Sequence, residues 1–232
     1  MKITIVLPAK NEEEAIANVL DDVGKAKLLL PSSITLETLV MDSSITDETA
    51  KIARSKGAKV VYVLTSGKGN AFRASLQYII NSDIVIMSDA DYTYPLGCNI
   101  AIMIGLLASH DVVIGCRTKR EPGSMTPLNL FGNRFLSALA SFLYHHQIKD
   151  VCSGLWGFRI NTLLDFNIIS EGFTLEADLM TNAIYSHCRI AQFPIGYRAR
   201  QGESSAKFKP VIDWFKILGF LIKRRFVSCR PL

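Results

Sequence analysis

Two kinds of hydrophobic pattern alternate along the first half of the chain. Short runs of Val, Ile and Leu predict strands, and the stretches between the first four runs repeat apolar residues at helical spacing, which predicts helices with one buried face. The predicted strands are residues 2–7, 36–41, 59–64, 83–88 and 111–115, and the predicted helices are residues 12–25, 47–56 and 70–80. Strands joined through helices predict an α/β fold, a mainly parallel Rossmann-like sheet flanked by helices.

The pattern changes after residue 115. The sequence now predicts a loop, a helix, a turn-rich segment, a second helix and a strand, at residues 117–127, 128–144, 150–159, 176–186 and 189–195 respectively. Pro210 then opens a final helix that is apolar on nearly every side and ends in Lys223, Arg224 and Arg225. We therefore predict one α/β domain over residues 1–209 and a C-terminal amphipathic helix within residues 210–232.

The composition excludes a disordered chain, because 49% of the 232 residues are hydrophobic and only 20% are charged. A net charge of +5 suits anionic partners such as nucleotides, phospholipids or polyprenyl phosphates, but it is too small to indicate a nucleic acid. The five cysteines form no C-x-x-C pair, which predicts reduced thiols in the cytosol. Residues 92–110 carry no formal charge but are broken by Pro95 and Gly97, so we expect no membrane-spanning helix.

Polar side chains follow four of the predicted strands. Asn11 comes after the first strand, Asp42 after the second, Asp89 and Asp91 after the fourth, and Arg117 after the fifth. In open parallel sheets the ligand binds at the carboxyl ends of the strands, so these residues are predicted to share one site. The alternative is that such residues cap helices, as Asn, Ser and Asp often do.

Asp89 and Asp91 place two carboxylates two positions apart at the end of an apolar strand. Burying both without a cation is costly, and Mg²⁺ or Mn²⁺ prefers such oxygen ligands together with substrate phosphates. The alternative is an ordinary acidic turn. Arg117 carries a planar donor fork suited to a diphosphate or an acceptor phosphate, and its alternative is an ion pair with one of these aspartates. For Asp47, by contrast, we accept the helix-capping interpretation.

The ordered set of motifs resembles a known family. Residues 6–13 (VLPAKNEE), Asp42 with 46–49, residues 67–71 (GKGNA) and residues 89–91 are similar to family 2 glycosyltransferases of the GT-A fold. Motifs between residues 92 and 159 resemble its polyprenyl-phosphate (dolichyl-phosphate) sugar transferase branch. Within that branch, residues 121–129 and 151–158 resemble archaeal enzymes that load the first sugar onto dolichyl phosphate for protein N-glycosylation. The resemblance covers roughly residues 2–208.

The resemblance implies roles for individual residues. The nucleotide-sugar donor would be bound by Pro8, Ala9, Asn11, Glu12, Asp42, Lys68, Asp89, Ala90 and Asp91, with Asp89 and Asp91 also holding the metal. Catalysis would rest on Asp89, Asp91 and Arg117. The acceptor and its phosphate would be bound by Arg117, Arg134, Ser153, Glu176, Arg200 and Lys207. Glu176 and Asp178 lie where many family members keep an acidic base, and the alternative for both is an acid favoured by the helix dipole.

The function expected from these features is an inverting, Mg²⁺- or Mn²⁺-dependent transfer of a sugar onto dolichyl phosphate at the cytoplasmic membrane face. The subgroup resemblance favours a UDP-sugar with glucose or N-acetylglucosamine, and GDP-mannose is the close alternative. The C-terminal helix combines apolar residues such as Trp214 and Phe215 with basic residues, which predicts contact with a membrane surface; its alternative is a core helix. A soluble-acceptor transferase and a catalytically silent membrane-bound subunit are the remaining alternatives.

Overall fold

The computed structural model describes residues 1–44, 46–200 and 209–227, and within these residues it forms one seven-stranded sheet. The strands are β1 (Lys2–Ala9), β2 (Thr35–Asp42), β3 (Lys59–Tyr62), β4 (Ile84–Met87), β5 (Val112–Arg120), β6 (Trp156–Arg159) and β7 (Ile190–Tyr197). Their order across the sheet is β3-β2-β1-β4-β6-β5-β7. Only β6 is antiparallel to its neighbours among these strands, so the prediction of a mainly parallel sheet is confirmed.

Helices cover both faces of the sheet. Their bounds are α1 (Ile16–Leu29), α2 (Thr49–Ser55), α3 (Lys68–Ile79), α4 (Leu96–Leu107), α5 (Pro127–Tyr144), α6 (Ile160–Leu164), α7 (Leu175–Tyr185) and α8 (Pro210–Phe226). Side chains of β1 alternate between two cores: Ile5 packs with α1, α2 and α4, whereas Val6 packs with α3, α5, α7 and α8. This alternation is the consequence of the two-residue repeat of a strand that is buried on both faces.

Four elements differ from the sequence prediction, and one of them is the five-residue helix α6, which was not predicted. Helix α4 lies inside the uncharged segment 92–110, where we predicted no helix, and its continuous hydrophobicity hides the helical period. Strand β6 replaces the predicted turn-rich segment because its four residues are too short for a recognisable alternation, and it fills the gap between β4 and β5. Strand β5 runs on to Arg120, into the predicted loop, because β7 pairs with it as far as Tyr197.

The C-terminal helix α8 packs against α5 and α7. The hydroxyl of Tyr144 donates to the carbonyl of Leu221 at 2.8 Å, and Arg224 Nη2 lies 3.1 Å from Asp178 Oδ1. One face of α8, with Ile217 and Leu221, is buried in the core, and the opposite face is exposed. The helix is therefore amphipathic, as predicted, and not apolar on nearly every side. None of the helices in the described residues is long and apolar enough to cross a membrane.

Candidate active site

A cavity of about 520 Å³ opens at the carboxyl ends of the central strands. One part of its wall, which we call the strand end, is formed by residues at or just after the ends of β1 and β4: Pro8, Ala9, Glu12, Ala90 and Asp91. A second part of the wall, which we call the helix end, is formed by Met125, Phe173, Trp214 and Ile217, which lie before α5, before α7 and on α8. Charged residues from distant parts of the chain also line the cavity.

Lys68 joins two carboxylates across the middle of the cavity. Its Nζ atom donates to Asp89 Oδ1 and to Glu176 Oε1, and its side chain is only 12% exposed. Burial by itself would lower the pKa of Lys68, but the charges of Asp89 and Glu176 outweigh burial and raise it. Burial raises the pKa of Glu176 although Lys68 opposes the shift. Lys68 is therefore a fixed cation that is paired with both carboxylates.

Arg200 is the second cation, and it contacts the strand end. Its Nη2 atom lies 2.8 Å from Glu12 Oε1, and its Nη1 atom lies 3.4 Å from Asp91 Oδ2. The Thr93 hydroxyl donates to Asp91 Oδ1 at 2.6 Å. The pKa of Asp91 is raised by burial and by the charge of Asp89, against the opposing effects of Thr93 and Arg200. Each member of the acidic pair thus has its own basic partner.

The acidic pair fits a divalent metal only together with a phosphate ligand. Within the described part of the chain no group of three or more His, Cys, Asp or Glu side chains could hold a metal ion. Asp89 and Asp91 nevertheless supply the hard oxygen atoms that Mg²⁺ and Mn²⁺ prefer, and Mg²⁺ is commonly bound by one or two carboxylates plus substrate phosphates. The donor set is therefore suited to a metal that shares its ligands with a diphosphate.

Two glycines allow the central residues to approach so closely. A Cβ atom on Gly154 would lie 2.4 Å from Asp89 Oδ2, and one on Gly69 would lie 2.3 Å from the carbonyl oxygen of Ser170. Gly67, just before α3, has φ +124°, a backbone conformation that glycine adopts readily and other residues rarely do. The segment Gly67-Lys68-Gly69 is thus a tightly packed entry to a helix, and its sequence lacks the G-x-x-x-x-G-K-[ST] spacing of a P-loop.

Arg117 lines the cavity but is already paired. Its Nε and Nη2 atoms bond to the two carboxylate oxygens of Asp150 at 2.8 and 2.7 Å, and its guanidinium carbon lies 5.2 Å from the ring centroid of Tyr197. Burial would raise the pKa of Asp150, but the charge of Arg117 outweighs burial and lowers it. Arg117 does form an ion pair, but its partner is Asp150 and not Asp89 or Asp91, and its role toward a phosphate stays a prediction.

Several predicted site residues do not line the cavity. Asp42 is buried and accepts bonds from Ser44. Asn11 is exposed and has φ 51°. The hydroxyl of Ser153 donates to the Gly115 carbonyl inside the core, and Arg134 is exposed on α5. Lys207 lies outside the described residues.

Asp178 is a structural residue. It is fully buried, and its Oδ2 atom accepts the backbone N–H groups of Ile169 and Ser170 at 2.7 and 2.8 Å. Its Oδ1 atom contacts Arg224 of α8. Of the two acids predicted as a base, only Glu176 lines the cavity.

The cavity also contains residues that the sequence did not single out as site residues. Thr93 bonds to Asp91 and lines the cavity. Trp214 had been expected to enter the membrane, yet it lines the helix end. Cys152 and Asn133 join them from the segment around β6 and from α5. The only sequence signal for Cys152 was its position next to the Ser153-Gly154 motif.

The fold and the strand-end site define an α/β enzyme of the GT-A type. The chain belongs to the glycosyl transferase family 2, whose model matches residues 4–164. It is therefore a glycosyltransferase.

Two relatives from Haloferax volcanii are similar over most of the chain. "Glycosyltransferase AglJ" is 31% identical over 231 residues, which cover 99% of this chain and 74% of the relative. A "Dolichyl-phosphate hexose transferase" is 31% identical over 202 residues, which cover 87% of this chain and 85% of the relative.

Solved structures confirm the fold. The glucosyl-3-phosphoglycerate synthase of Mycobacterium tuberculosis, crystallised with Mn²⁺, UDP and glucosyl-3-phosphoglycerate, superimposes with a TM-score of 0.76. The alignment covers 97% of this chain and 80% of that chain at 23% identity. At this identity the likeness shows the GT-A fold alone.

Proposed function

We propose that the protein transfers a sugar from a nucleoside diphosphate donor to the phosphate of dolichyl phosphate or another polyprenyl phosphate, with inversion at the anomeric carbon. The observation that carries this proposal is a cavity with a charged strand end and an apolar helix end. The charged strand end suits a diphosphate, and the apolar helix end suits a lipid. The similarity to a dolichyl-phosphate hexose transferase supports the same acceptor.

The donor would occupy the strand end. Pro8, Ala9 and Glu12 line the part expected to receive the nucleoside, and Asp89 and Asp91 would hold Mg²⁺ or Mn²⁺ against the diphosphate. The metal would neutralise the negative charge that develops on the leaving diphosphate. Lys68 and Arg200 already lie against these two aspartates, so they are placed to add positive charge beside the same group.

A phosphate acceptor explains why Glu176 can be neutralised by Lys68. A sugar hydroxyl must lose a proton to attack, whereas a phosphate monoester is already anionic at neutral pH and needs no strong base. One of its oxygens would bond to the anomeric carbon as the bond to the diphosphate breaks, and the bonding electrons would leave with the diphosphate. The protein's contribution is alignment of the two reactants and electrostatic stabilisation of the leaving group.

The donor is proposed to be a UDP-sugar with glucose or N-acetylglucosamine, and GDP-mannose is its alternative. The test incubates the purified protein with Mg²⁺ or Mn²⁺, short-chain dolichyl phosphate and each radiolabelled donor, and measures label in the organic phase. We expect label from one donor, and none with Asp91→Ala. Asp165→Ala, which removes an exposed carboxylate outside the cavity, is the control. Failure of every donor, with nucleotide binding retained, would support a silent subunit.

A transferase with a hydroxyl acceptor is a second candidate, because Glu176 lines the cavity. The substitution Glu176→Gln separates the two candidates. It should reduce transfer to a phosphate acceptor by less than about tenfold, whereas loss of a required base costs about 10²- to 10⁴-fold. A loss in the larger range, with label found only on hydroxyl acceptors, would overturn the phosphate-acceptor proposal.

The reaction is proposed to take place at the cytoplasmic membrane surface, and exposed apolar stripes on two helices support this. On α5 the stripe contains Phe131, Phe135 and Phe142, and on α8 it contains Phe215 and Phe226. All five phenylalanines are more than half exposed. Outward-facing aromatic residues in this number mark an interaction surface.

The two stripes face the same side of the molecule. Helices α5 and α8 run in the same direction, because Gly132 contacts Trp214 and Tyr144 contacts Leu221. At about 100° per residue, the α5 stripe is rotated about 80° from Gly132 and the α8 stripe about 110° in the opposite sense from Trp214. When two neighbouring helices run in the same direction, stripes that are rotated in opposite senses from the line of contact point to the same side. The stripes of α5 and α8 therefore face one side of the molecule.

The charges around these stripes suit an anionic lipid surface. Helix α5 contains no acidic residue, and the one acidic residue of α8, Asp213, is buried. Arg134, Lys216 and Lys223 are exposed on the outer flanks of the two helices. Apolar insertion combined with flanking basic residues is the pattern of peripheral binding to anionic membranes.

A further inference from the structure

Trp214 does not belong to the exposed stripe of α8. It is half-buried and lines the helix end of the cavity, whereas its neighbour Phe215 is exposed. Ile217 lies one turn further along α8, is 3% exposed and continues the same wall. The inner face of α8 therefore contributes to the cavity, and the outer face contributes the exposed stripe.

The position of the Trp214 ring depends on a glycine. A Cβ atom added to Gly132 of α5 would lie 2.2 Å from two atoms of the indole. The ring therefore lies directly against the backbone of α5. Any residue other than glycine at position 132 would clash with it. This contact fixes the orientation of the ring that borders the cavity.

The rest of the lining near Trp214 is mixed, because Ser124, Asn129 and Asn133 contribute polar groups and other residues contribute apolar ones. Met125 and Phe173 contribute side chains from the segments before α5 and α7. Burial raises the pKa of the Cys152 thiol to about 12, so this group is uncharged. A sugar or a nucleotide offers many hydroxyl and phosphate groups and gains little from the apolar part of this lining, whereas a hydrocarbon gains from every apolar contact.

We propose that Trp214 and Ile217, with Met125 and Phe173, form a subsite for the isoprene units next to the phosphate of the acceptor. This inference rests on the proposed function, because it assigns the helix end to the lipid part of that acceptor. The phosphate would lie toward the charged centre of the cavity. The chain would leave along α5 and α8, whose outer faces carry the exposed stripes. Gly132 is a positioning residue for this subsite.

The test compares two soluble acceptors without any membrane. Farnesyl phosphate, used below the concentration at which it forms micelles, carries three isoprene units, and glycerol 3-phosphate carries none. We expect the wild-type protein to show a KM for farnesyl phosphate at least tenfold below that for glycerol 3-phosphate. Trp214→Ala should raise the KM for farnesyl phosphate at least tenfold and change kcat less than about threefold.

Two further variants keep the test informative. Gly132→Ala should displace the indole and raise the same KM without removing any aromatic group. Tyr78→Ala removes an exposed ring on α3, away from the cavity, and should leave both constants unchanged. Equal KM values for the two acceptors, or an unchanged KM in both Trp214→Ala and Gly132→Ala, would overturn the subsite.

Fluorescence separates failure of the subsite from failure of the proposed function. The chain has two tryptophans, and Trp156 is fully buried with its indole N–H bonded to the Ser153 carbonyl. Farnesyl phosphate should therefore shift the emission of Trp214, and Trp214→Phe should abolish the shift. A shift without sugar transfer would support the subsite and contradict the transferase reaction. Transfer without any shift would contradict the subsite alone.

Discussion

The strand end and the helix end of the cavity are built in different ways. At the strand end, Glu12 and Asp91 follow single strands and their places can be read from the local sequence. At the helix end, Trp214 meets Gly132, more than eighty residues earlier in the chain. The difference teaches that a family signature is easiest to read where one strand positions each group, and hardest where helices from separate segments form a wall.

The charged residues of the cavity depend on both local sequence and tertiary structure. Their positions follow from helix and strand termini, but their partners come from afar: Lys68 and Glu176 are 108 residues apart, and Arg200 and Glu12 are 188 residues apart. These ion pairs join segments that are distant in the chain, so substitutions there test how much such contacts stabilise the fold.

The largest effect is expected at the strand end. Asp91→Ala removes a carboxylate proposed to hold the metal and the diphosphate, and we expect kcat for sugar transfer to fall at least about a thousandfold. Circular dichroism should show that the fold is retained. Addition of EDTA to the wild-type protein should abolish transfer in the same assay, and excess Mg²⁺ or Mn²⁺ should restore it. Wild-type turnover by Asp91→Ala would show that the strand end does not hold the donor.

A smaller but still large effect is expected from Lys68→Met. This substitution leaves Asp89 and the buried Glu176 without their shared cation, so we expect the free energy of unfolding to fall by roughly 3 kcal/mol. Urea denaturation measures the change. Adding Glu176→Gln should recover part of it, because the neutral amide removes the unpaired buried charge.

The control for Lys68→Met is Lys56→Met, which breaks the exposed pair with Asp21. Its effect should stay below about 1 kcal/mol. Equal losses in the two variants would show that the central ion pairs stabilise the fold no more than an exposed pair does.

The stability of the fold in acid tests the ion pair between Arg117 and Asp150. Arg117 lowers the pKa of Asp150 in the folded state, so the pair stabilises the fold above the ordinary pKa of an aspartate, about 3.9, and this contribution is lost as pH falls through the lowered folded value. We expect Asp150→Asn to cost roughly 2 kcal/mol at neutral pH and less near pH 3. Thermal unfolding between pH 7 and pH 3 measures this, with Asp165→Asn as the control. A cost that does not shrink toward pH 3 would contradict the assignment.

The smallest effect is expected on the exposed stripe outside the helix end. The double substitution Phe131→Ser and Phe135→Ser should weaken binding to anionic vesicles by about tenfold, because it removes two rings from the proposed membrane contact. The melting temperature should not fall, since both side chains are exposed. Vesicle flotation measures the binding, and Tyr78→Ser is the control. Unchanged flotation would show that the exposed stripe of α5 does not bind the membrane surface.

The relation between sequence and structure follows the same division. The periods of residues 2–88 predicted β1 to β4 and α1 to α3, because each period depends on neighbouring residues alone. Helix α4 and strand β6 were missed, since a continuously apolar helix and a four-residue strand carry no period. The local sequence also predicted which acids follow β4, although it did not indicate that Gly154 lies against one of them.

By itself, the sequence determined the α/β class, the family, the acidic pair and the amphipathic helix at the C-terminal end of the chain. Tertiary structure alone decided that Arg117 pairs with Asp150, that Lys68 neutralises Glu176 and that Trp214 turns into the cavity rather than outward. The physical reason is the range of the interactions involved. Hydrophobic period and turn chemistry are set by adjacent residues, whereas the partner of a buried charge or an aromatic ring is whichever group packing brings within contact distance.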